Sequence, residues 1–203
     1  MSDVLMPEQS DTPPPRDGGR RRRLAPYLAL AVAVVLAAFI VVAIAAKGGT
    51  KDSAATPLLG QPAPIVQTTT IDGQPFDLAT RRGSWVVLNF FSTWCQPCVA
   101  EHPELLRFAQ SQAGQPDGAE LVSVVFNDDV AAVKKFFAEH GGGWPALNDT
   151  EGRIQVGFGV AKSPETWVVD PDGVVRARII SQVTSAELNE LLARLKAGTP
   201  ASS

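Results

Sequence analysis

The sequence contains only two cysteines, Cys95 and Cys98, which enclose the dipeptide Gln96–Pro97. Two thiols at this spacing can be oxidised to a disulfide and reduced again, so the pair can carry two electrons. The thiolate is the attacking species, and a helix N-terminus favours it because unpaired backbone N–H groups point toward the sulfur. If a helix begins here, Cys95 is expected to be the nucleophile and Cys98, one turn further on, to resolve the mixed disulfide.

Two other uses of the cysteine pair must be weighed against redox chemistry. Cys95 and Cys98 could form half of a zinc site completed by His102 and His140, but these histidines do not form a second closely spaced ligand pair. An inert structural disulfide is disfavoured because closing so short a loop constrains the unfolded chain little. We therefore predict a redox-active disulfide and no metal site.

The residues around the motif predict the elements that position it. Trp85–Phe91 is a continuous apolar run, typical of a strand buried on both faces, and a helix is predicted from about Cys98 to Gln112. A turn at Asp170–Gly173 joins two strands, and Ser185 is expected to cap a final helix. The other predicted segments are Leu121–Phe126, Asp129–Glu139, Thr166–Val169 and Val174–Ile180, with a buried stripe of Leu188, Leu191, Leu192 and Leu195. This order predicts an α/β domain with a mixed sheet and helices on both faces.

The N-terminal part of the chain has the pattern of a membrane anchor. Residues 1–23 are predicted to be a disordered tail, and residues 24–46 contain no charge over 23 positions, where roughly 20 are needed to cross a bilayer. Arg20–Arg23 precede this run and predict a cytoplasmic tail. A cleaved signal peptide, with a site near Ala43–Ala45, and a buried core helix are the alternatives. Residues 47–60 are predicted to be a linker and residues 61–199 an extracytoplasmic domain.

Composition narrows the classes of function. The net charge is −3, and the part of the chain after the tail is mildly acidic, which disfavours a nucleic-acid-binding protein. Hydrophobic residues make up 45% and charged residues 19%, values typical of a globular protein.

The segment FFSTWCQPCVAEHPEL, which contains the cysteine pair, resembles the TlpA/ResA/CcmG (DsbE) group of thioredoxin-like proteins. The resemblance covers roughly residues 57–198. It implies a thioredoxin-like fold: a central mixed sheet flanked by helices, with an N-terminal hairpin extension. The Pro–Glu–Thr triplet and Glu101–His102 favour the CcmG (DsbE) branch. The other segments that carry the resemblance are Leu59–Pro64 at the start of the domain, Asp72–Leu78 in the hairpin, Val156–Val160 with Ser163–Thr166 at the cis-proline loop, and Val168–Gly173.

The resemblance also implies roles for residues outside the cysteine pair. Pro164 would be the cis-proline, where the flanking Ser163 and Glu165 bind an extended client peptide; an ordinary trans loop proline is the alternative. Glu165 would make that groove acidic, unless it is a solvated loop charge. Glu101 would tune the cysteines and relay protons, unless it is an exposed carboxylate favoured by the helix dipole. Trp94 could shield Cys95 or simply pack; we expect it to do both and to contact the client.

We therefore expect an extracytoplasmic thiol–disulfide oxidoreductase. The resemblance implies reduction of protein disulfides in cytochrome c maturation, with apocytochrome c as the client and a CcdA-like membrane protein as the electron donor. The Cys95–Cys98 couple carries both electrons, so no cofactor is expected. A disulfide-forming oxidase would use the same residues, and a tethered binding or chaperone module would not need an intact motif. A peroxidase is disfavoured because its attacking cysteine would not lie in such a pair.

Overall fold

The computed structural model describes residues 25–47 and 54–198 of the chain. The chain divides into two units, Met1–Gly49 and Thr50–Ser203. The predicted tail, residues 1–23, and residues 48–53 of the predicted linker lie outside the described residues.

The described part of the first unit is helix α1, which covers Ala25–Lys47. The side chains of this helix are described over residues 26–40. Within what the structure describes, no helix is long and apolar enough to cross a membrane.

The second unit has a mixed sheet, as predicted, and this sheet has five strands. In chain order its elements are β1 Gln67–Thr69, β2 Pro75–Asp77, β3 Val86–Phe91, α2 Gln96–Gln112, β4 Glu120–Val125, α3 Val130–His140, β5 Ala146–Asn148, α4 Arg153–Phe158, β6 Glu165–Val169, β7 Val175–Ile180 and α5 Ser185–Lys196. The strand order is β5–β4–β3–β6–β7. The central strand β3 runs parallel to β4 and antiparallel to β6. The carboxyl end of β3 and the beginning of β6 therefore meet at the same end of the sheet.

Helices cover both faces of this sheet. On one face, Val87 and Val168 pack against α2 and the leucine stripe of α5. On the other face, Leu88 and Trp167 pack against α4 and the β1–β2 hairpin. All six residues of β3 are buried, which explains the continuous apolar run in its sequence. Each fully buried apolar side chain of this kind contributes about 1.5–3 kcal/mol, so the sheet positions the cysteine motif firmly.

Both edges of the sheet are covered by chain from the N-terminal part of the unit. The β1–β2 hairpin lies against β5, with Thr68 Oγ1 donating a hydrogen bond to the Asn148 carbonyl oxygen at 2.7 Å. At the other edge, the Ala54 N–H donates to the Arg178 carbonyl oxygen at 2.7 Å. The hairpin expected at Asp72–Leu78 is confirmed, and covered edges protect the sheet from pairing with other chains.

The cap of the last helix differs from the prediction. Thr184, not Ser185, is the N-cap: its side chain accepts from the Glu187 N–H, and the Glu187 carboxylate accepts from the Thr184 N–H at 2.7 Å. This reciprocal pair is a capping box, which needs an acidic residue three positions after the cap. Ser185 has Leu188 at that position, so the prediction was wrong by one residue.

Candidate active site

The cysteine motif lies at the junction of β3 and α2. Cys95 is the N-cap of α2 and is bonded to Cys98, with an S–S distance of 2.11 Å and a Cα–Cα distance of 5.2 Å. The Cys98 backbone N–H donates to Cys95 Sγ at 3.2 Å. The Cys95 sulfur therefore lies where the first N–H groups of the helix stabilise negative charge, as the sequence predicted.

The surroundings of the disulfide differ on its two sides. Its inner side packs against apolar residues of the sheet and of α3, including Phe91 and Phe136. Cys95 is 5% exposed and Cys98 is 1% exposed, and Trp94 beside them is 59% exposed. Of the two residues, Cys95 is the more exposed. This agrees with the prediction that Cys95 is attacked first and Cys98 acts from inside.

A second loop holds the three residues that precede Cys95. Ser92 Oγ donates to the Phe126 carbonyl oxygen at 2.8 Å. Trp94 Nε1 donates to the Asn127 carbonyl oxygen at 2.8 Å. Both the N–H and the hydroxyl of Thr93 donate to the carboxylate of Asp128. The loop after β4 thus holds the segment that leads to the nucleophile. The role of Asn127 and Asp128 was not predicted, because these contacts join positions 33 and 35 residues apart in the sequence.

Glu101 is a buried residue of α2, three positions after Cys98. It is 2% exposed, so the alternative of an exposed first-turn carboxylate is wrong. Its Oε1 accepts from Asn89 Nδ2 at 2.7 Å, and its Oε2 accepts from the Val183 N–H at 3.1 Å. Residues three apart on a helix are neighbours, with about 5–6 Å between Cβ atoms, which brings Glu101 close to Cys98. Hydrogen bonds to both carboxylate oxygens favour the charged form.

Pro164 begins the strand that pairs with β3. The Ser163–Pro164 peptide bond is cis, as the resemblance implied. Phe90 pairs with Glu165, so Pro164 lies beside the carboxyl end of β3, from which the loop to Cys95 continues. The Pro164 carbonyl oxygen accepts from the Ser181 N–H at 3.1 Å, and Ser163 is half-buried. The antiparallel pairing of β3 and β6 thus places the cis-proline and the cysteine motif at the same end of the sheet.

Glu165 does not offer its charge to a surface groove. It is 2% exposed, and its Oε1 accepts from Arg178 Nε and Trp167 Nε1, both at 2.8 Å. Its Oε2 lies 3.2 Å from the second donor of Arg178. The prediction of a client-binding carboxylate is wrong for the side chain, and so is the alternative of a solvated loop charge. The side chain points into the hydrophobic core, to the face of the sheet opposite to that of Asn89.

The two histidines lie beside the site without forming a metal centre with the cysteines. His102 is buried among the rings of Phe136, Phe137 and Trp144, and its Nε2 lies 2.7 Å from the Gly141 carbonyl oxygen. Burial lowers the pKa of His102 below its ordinary value of 6.5, against the opposing effect of that hydrogen bond; the charge of nearby His140 lowers it further. Among the described residues, no group of three or more His, Cys, Asp or Glu is placed to hold a metal ion.

Comparison with known proteins agrees with this geometry. The sequence profile of the AhpC/TSA family matches residues 59–178, more than half of the chain. The thiol:disulfide interchange protein HelX of Rhodobacter capsulatus is 34% identical over 147 residues, which are 71% of this chain and 80% of HelX. The thiol-disulfide oxidoreductase ResA of Bacillus subtilis is 27% identical over 139 residues, 68% of this chain and 76% of ResA.

A solved structure has the same fold. The thiol:disulfide interchange protein of the thioredoxin family from Chlorobium tepidum superimposes with a TM-score of 0.60 at 26% identity, over 69% of this chain and 97% of that one. The thioredoxin-like fold predicted from the sequence is therefore confirmed. With the Cys95–Cys98 disulfide at the start of α2, the chain is a thiol–disulfide oxidoreductase and belongs to the AhpC/TSA family and to its TlpA/ResA/CcmG group.

Proposed function

We propose that this protein reduces disulfides in extracytoplasmic proteins and that cytochrome c maturation is the process it serves. The observation that carries the proposal is the buried carboxylate of Glu101, three residues after Cys98. A carboxylate beside a thiol disfavours the thiolate, because the two negative charges repel in a site with little water. A dithiol that gains little from ionisation is a better reductant.

The reaction begins at the more exposed cysteine. In the reduced protein, the Cys95 thiolate attacks a client disulfide; a mixed disulfide forms and the first client sulfur leaves as a thiolate. Cys98 then attacks the Cys95 sulfur, the Cys95–Cys98 disulfide forms, and the second client sulfur leaves. The Cys98 proton passes to Glu101. A Cys98→Ser variant is expected to accumulate the mixed disulfide and Cys95→Ser to form none, as seen on non-reducing gels; the reverse pattern would exchange the two roles.

Client recognition is assigned to the exposed surface around Cys95. Trp94 offers an aromatic ring that is 59% exposed and whose orientation is fixed by its bond to Asn127. The backbone of Ser163 and Pro164 lies at the same end of the sheet and can pair with an extended client segment as an added strand. Backbone recognition of this kind tolerates different client sequences. It suits a protein that acts on cysteines in several contexts.

We assign residues 24–46 to a single membrane anchor, with the domain outside the cytoplasm and a CcdA-like membrane protein as electron donor. The support is the uncharged run itself, Arg20–Arg23 before it, and the high exposure of apolar side chains such as Tyr27 and Phe39 on α1. The test is labelling by a membrane-impermeant reagent of intact cells, with Ser10→Cys or Ser84→Cys in a chain lacking Cys95 and Cys98. Labelling at position 10 and not at position 84 would refute this topology.

A disulfide-forming oxidase is the second candidate. The observation in its favour is the Cys98 N–H bond to Cys95 Sγ at the start of α2, which stabilises a Cys95 thiolate and hence the dithiol. The two functions differ in reduction potential. Equilibration with glutathione is expected to give a value near that of thioredoxin, about −270 mV, and a value near that of DsbA, about −120 mV, would establish the oxidase instead.

A further inference from the structure

Asn89 is a polar residue in the middle of the most buried strand. It is 1% exposed, and its neighbours on the same face of β3 are Val87 and Phe91, both apolar. Burying an amide among apolar groups is unfavourable unless its hydrogen-bonding groups find partners, so a residue of this kind needs a reason. The reason lies across the face of the sheet, on α2.

The amide of Asn89 joins the sheet to the Glu101 carboxylate on α2. Asn89 Nδ2 donates to Glu101 Oε1 at 2.7 Å and to Thr166 Oγ1 at 3.1 Å. An ionised carboxylate only accepts hydrogen bonds, so the NH₂ end of the amide must face Glu101. The second carboxylate oxygen accepts from the Val183 N–H on the loop before α5. Glu101 is therefore held from two elements outside its own helix.

We propose that Asn89 is a positioning residue for thiol–disulfide exchange: its amide holds the Glu101 carboxylate in place and in its charged form beside Cys98. The inference rests on the tuning role of Glu101 in the proposed function and adds the group on which that role depends. A charge-assisted hydrogen bond to a buried carboxylate stabilises the ionised form over the neutral one. Without it, Glu101 takes up a proton more readily, and its repulsion of the thiolate is lost.

Along its own helix, three ionisable residues lie within three positions of Glu101. They are Cys98, His102 and Glu104; His102 is turned toward the Gly141 carbonyl oxygen, and Glu104 accepts from the Ser185 N–H at 3.1 Å. Strand residues on this face of the sheet are uncharged: Val87, Asn89, Phe91, Leu121, Ser123, Val125, Thr166, Val168, Ala177 and Ile179. The loop before α5 contributes the Val183 N–H. Because Asn89 donates directly to Glu101, a change at Asn89 that reaches the thiols is expected to act through that carboxylate.

The test compares Asn89→Leu with Glu101→Gln in the full-length reduced protein. Leucine keeps the number and branching of the side-chain heavy atoms and removes the donor. The thiol titration, followed by thiolate absorbance, is expected to move to lower pH in both variants, and less far in Asn89→Leu. In equilibrium with glutathione, Asn89→Leu is expected to favour the dithiol by a factor of up to about ten. In the Glu101→Gln background, Asn89→Leu is expected to have no further effect.

Thr166→Val is the matched control, because it removes the other partner of the Asn89 amide and leaves the bond to Glu101. It is expected to leave the titration and the glutathione equilibrium unchanged; a shift as large as that of Asn89→Leu would overturn the inference. If Asn89→Leu does not fold, Asn89→Ala removes the donor without adding an ionisable group and is judged by the same criteria.

The outcomes separate the two proposals. If Glu101→Gln moves the titration and Asn89→Leu does not, Asn89 is a structural residue and the proposed function stands. If the effect of Asn89→Leu persists in the Glu101→Gln background, Asn89 acts by another route and the inference fails. If neither variant has an effect, the tuning role of Glu101 is wrong, and the inference fails with it.

Discussion

Glu101 and Glu165 are both 2% exposed, and they lie on opposite faces of the same sheet. Glu165 is paired with the guanidinium of Arg178, which holds it with two donors and also lies over the ring of Trp167 at 5.1 Å. The donors described for Glu101 include the neutral amide of Asn89 and a backbone N–H. A carboxylate bonded to a guanidinium has its charge balanced locally. A carboxylate three residues from a thiol on the same helix can act on that thiol through its charge.

The adjacent residues Glu165 and Thr166 show how the strand serves both regions. Successive side chains of a strand point to opposite faces, so Glu165 enters the core with Trp167, and Thr166 reaches Asn89 on the face of α2. The strand that begins at Pro164 thus carries a structural ion pair on one side and part of the active-site network on the other. Variants that break the ion pair of Glu165 and variants that remove the charge of Glu101 distinguish the structural role from the role in the active site.

The largest expected effect is on stability, from breaking the ion pair of Glu165. Arg178→Met leaves a buried carboxylate without its cation, and the free energy of unfolding is expected to fall by about 3–5 kcal/mol. The double variant Glu165→Gln with Arg178→Met is expected to recover most of this loss, because the amide of glutamine can still accept from Trp167. Denaturant unfolding of the oxidised full-length protein measures both.

The thiol titration provides the control for this variant. Arg178→Met is expected to leave the thiol pKa values unchanged, because the ion pair lies on the face of the sheet away from α2. A loss of stability below about 1 kcal/mol would mean that the pair behaves like one on the surface, and the contrast between the two glutamates would then be wrong.

The next effect is on the thiols, from removing the charge of Glu101. Glu101→Gln is expected to lower the Cys95 pKa by about half a unit to two units, and the spacing along α2 implies a larger change at Cys98. The lower pKa stabilises the dithiol and makes the protein a stronger oxidant. Thiolate absorbance against pH and equilibration with glutathione measure the two changes. Values equal to those of the unaltered protein would make Glu101 a structural residue, like Glu165.

The sequence predicted the parts of the site that depend on neighbours along the chain. The apolar run of β3 and the position of the cysteines at the start of a helix are local features, and the structure has both. The cis bond at Pro164 followed from the resemblance of the surrounding loop. The strand β5 and the helix α4 were missed because they have only three and six residues, too few to show a period.

The parts that failed depend on contacts between distant positions. Glu165 was assigned to a groove because its partner, Arg178, lies thirteen residues further on and is recognised only from the register of β6 and β7. The burial of Glu101 could not be derived from its place near the start of a helix; α2 begins at Gln96, so Glu101 lies in the second turn and not in the first. Asn89 did leave a signal that was not used: an amide inside the apolar run WVVLNFF is unfavourable unless a buried partner exists.

The smallest expected effect concerns His102, which follows Glu101 in the sequence. Burial lowers the pKa of the His102 imidazole below 6.5. The unfolded chain then takes up a proton at a higher pH than the folded protein does. The contribution of His102 to the free energy of unfolding is therefore expected to be fully present above about pH 6.5. It decreases as the pH falls toward the lowered pKa. Between these two values the loss is about 1.4 kcal/mol for each pH unit. Denaturant unfolding at a series of pH values from 7 down to about 5, above the ordinary range of carboxyl groups, measures this slope.

His102→Gln tests the origin of that slope, because glutamine keeps a donor for the Gly141 carbonyl oxygen and does not titrate. The slope is expected to disappear in this variant and to persist over a narrower pH range in His140→Gln, because loss of the His140 charge removes the smaller of the two effects that lower the His102 pKa. A slope that persists in His102→Gln would assign the pH dependence to other groups. If it is lost, the end of α2 nearest the cysteines responds to mild acid through His102, whereas the tuning of the thiols depends on its neighbour Glu101.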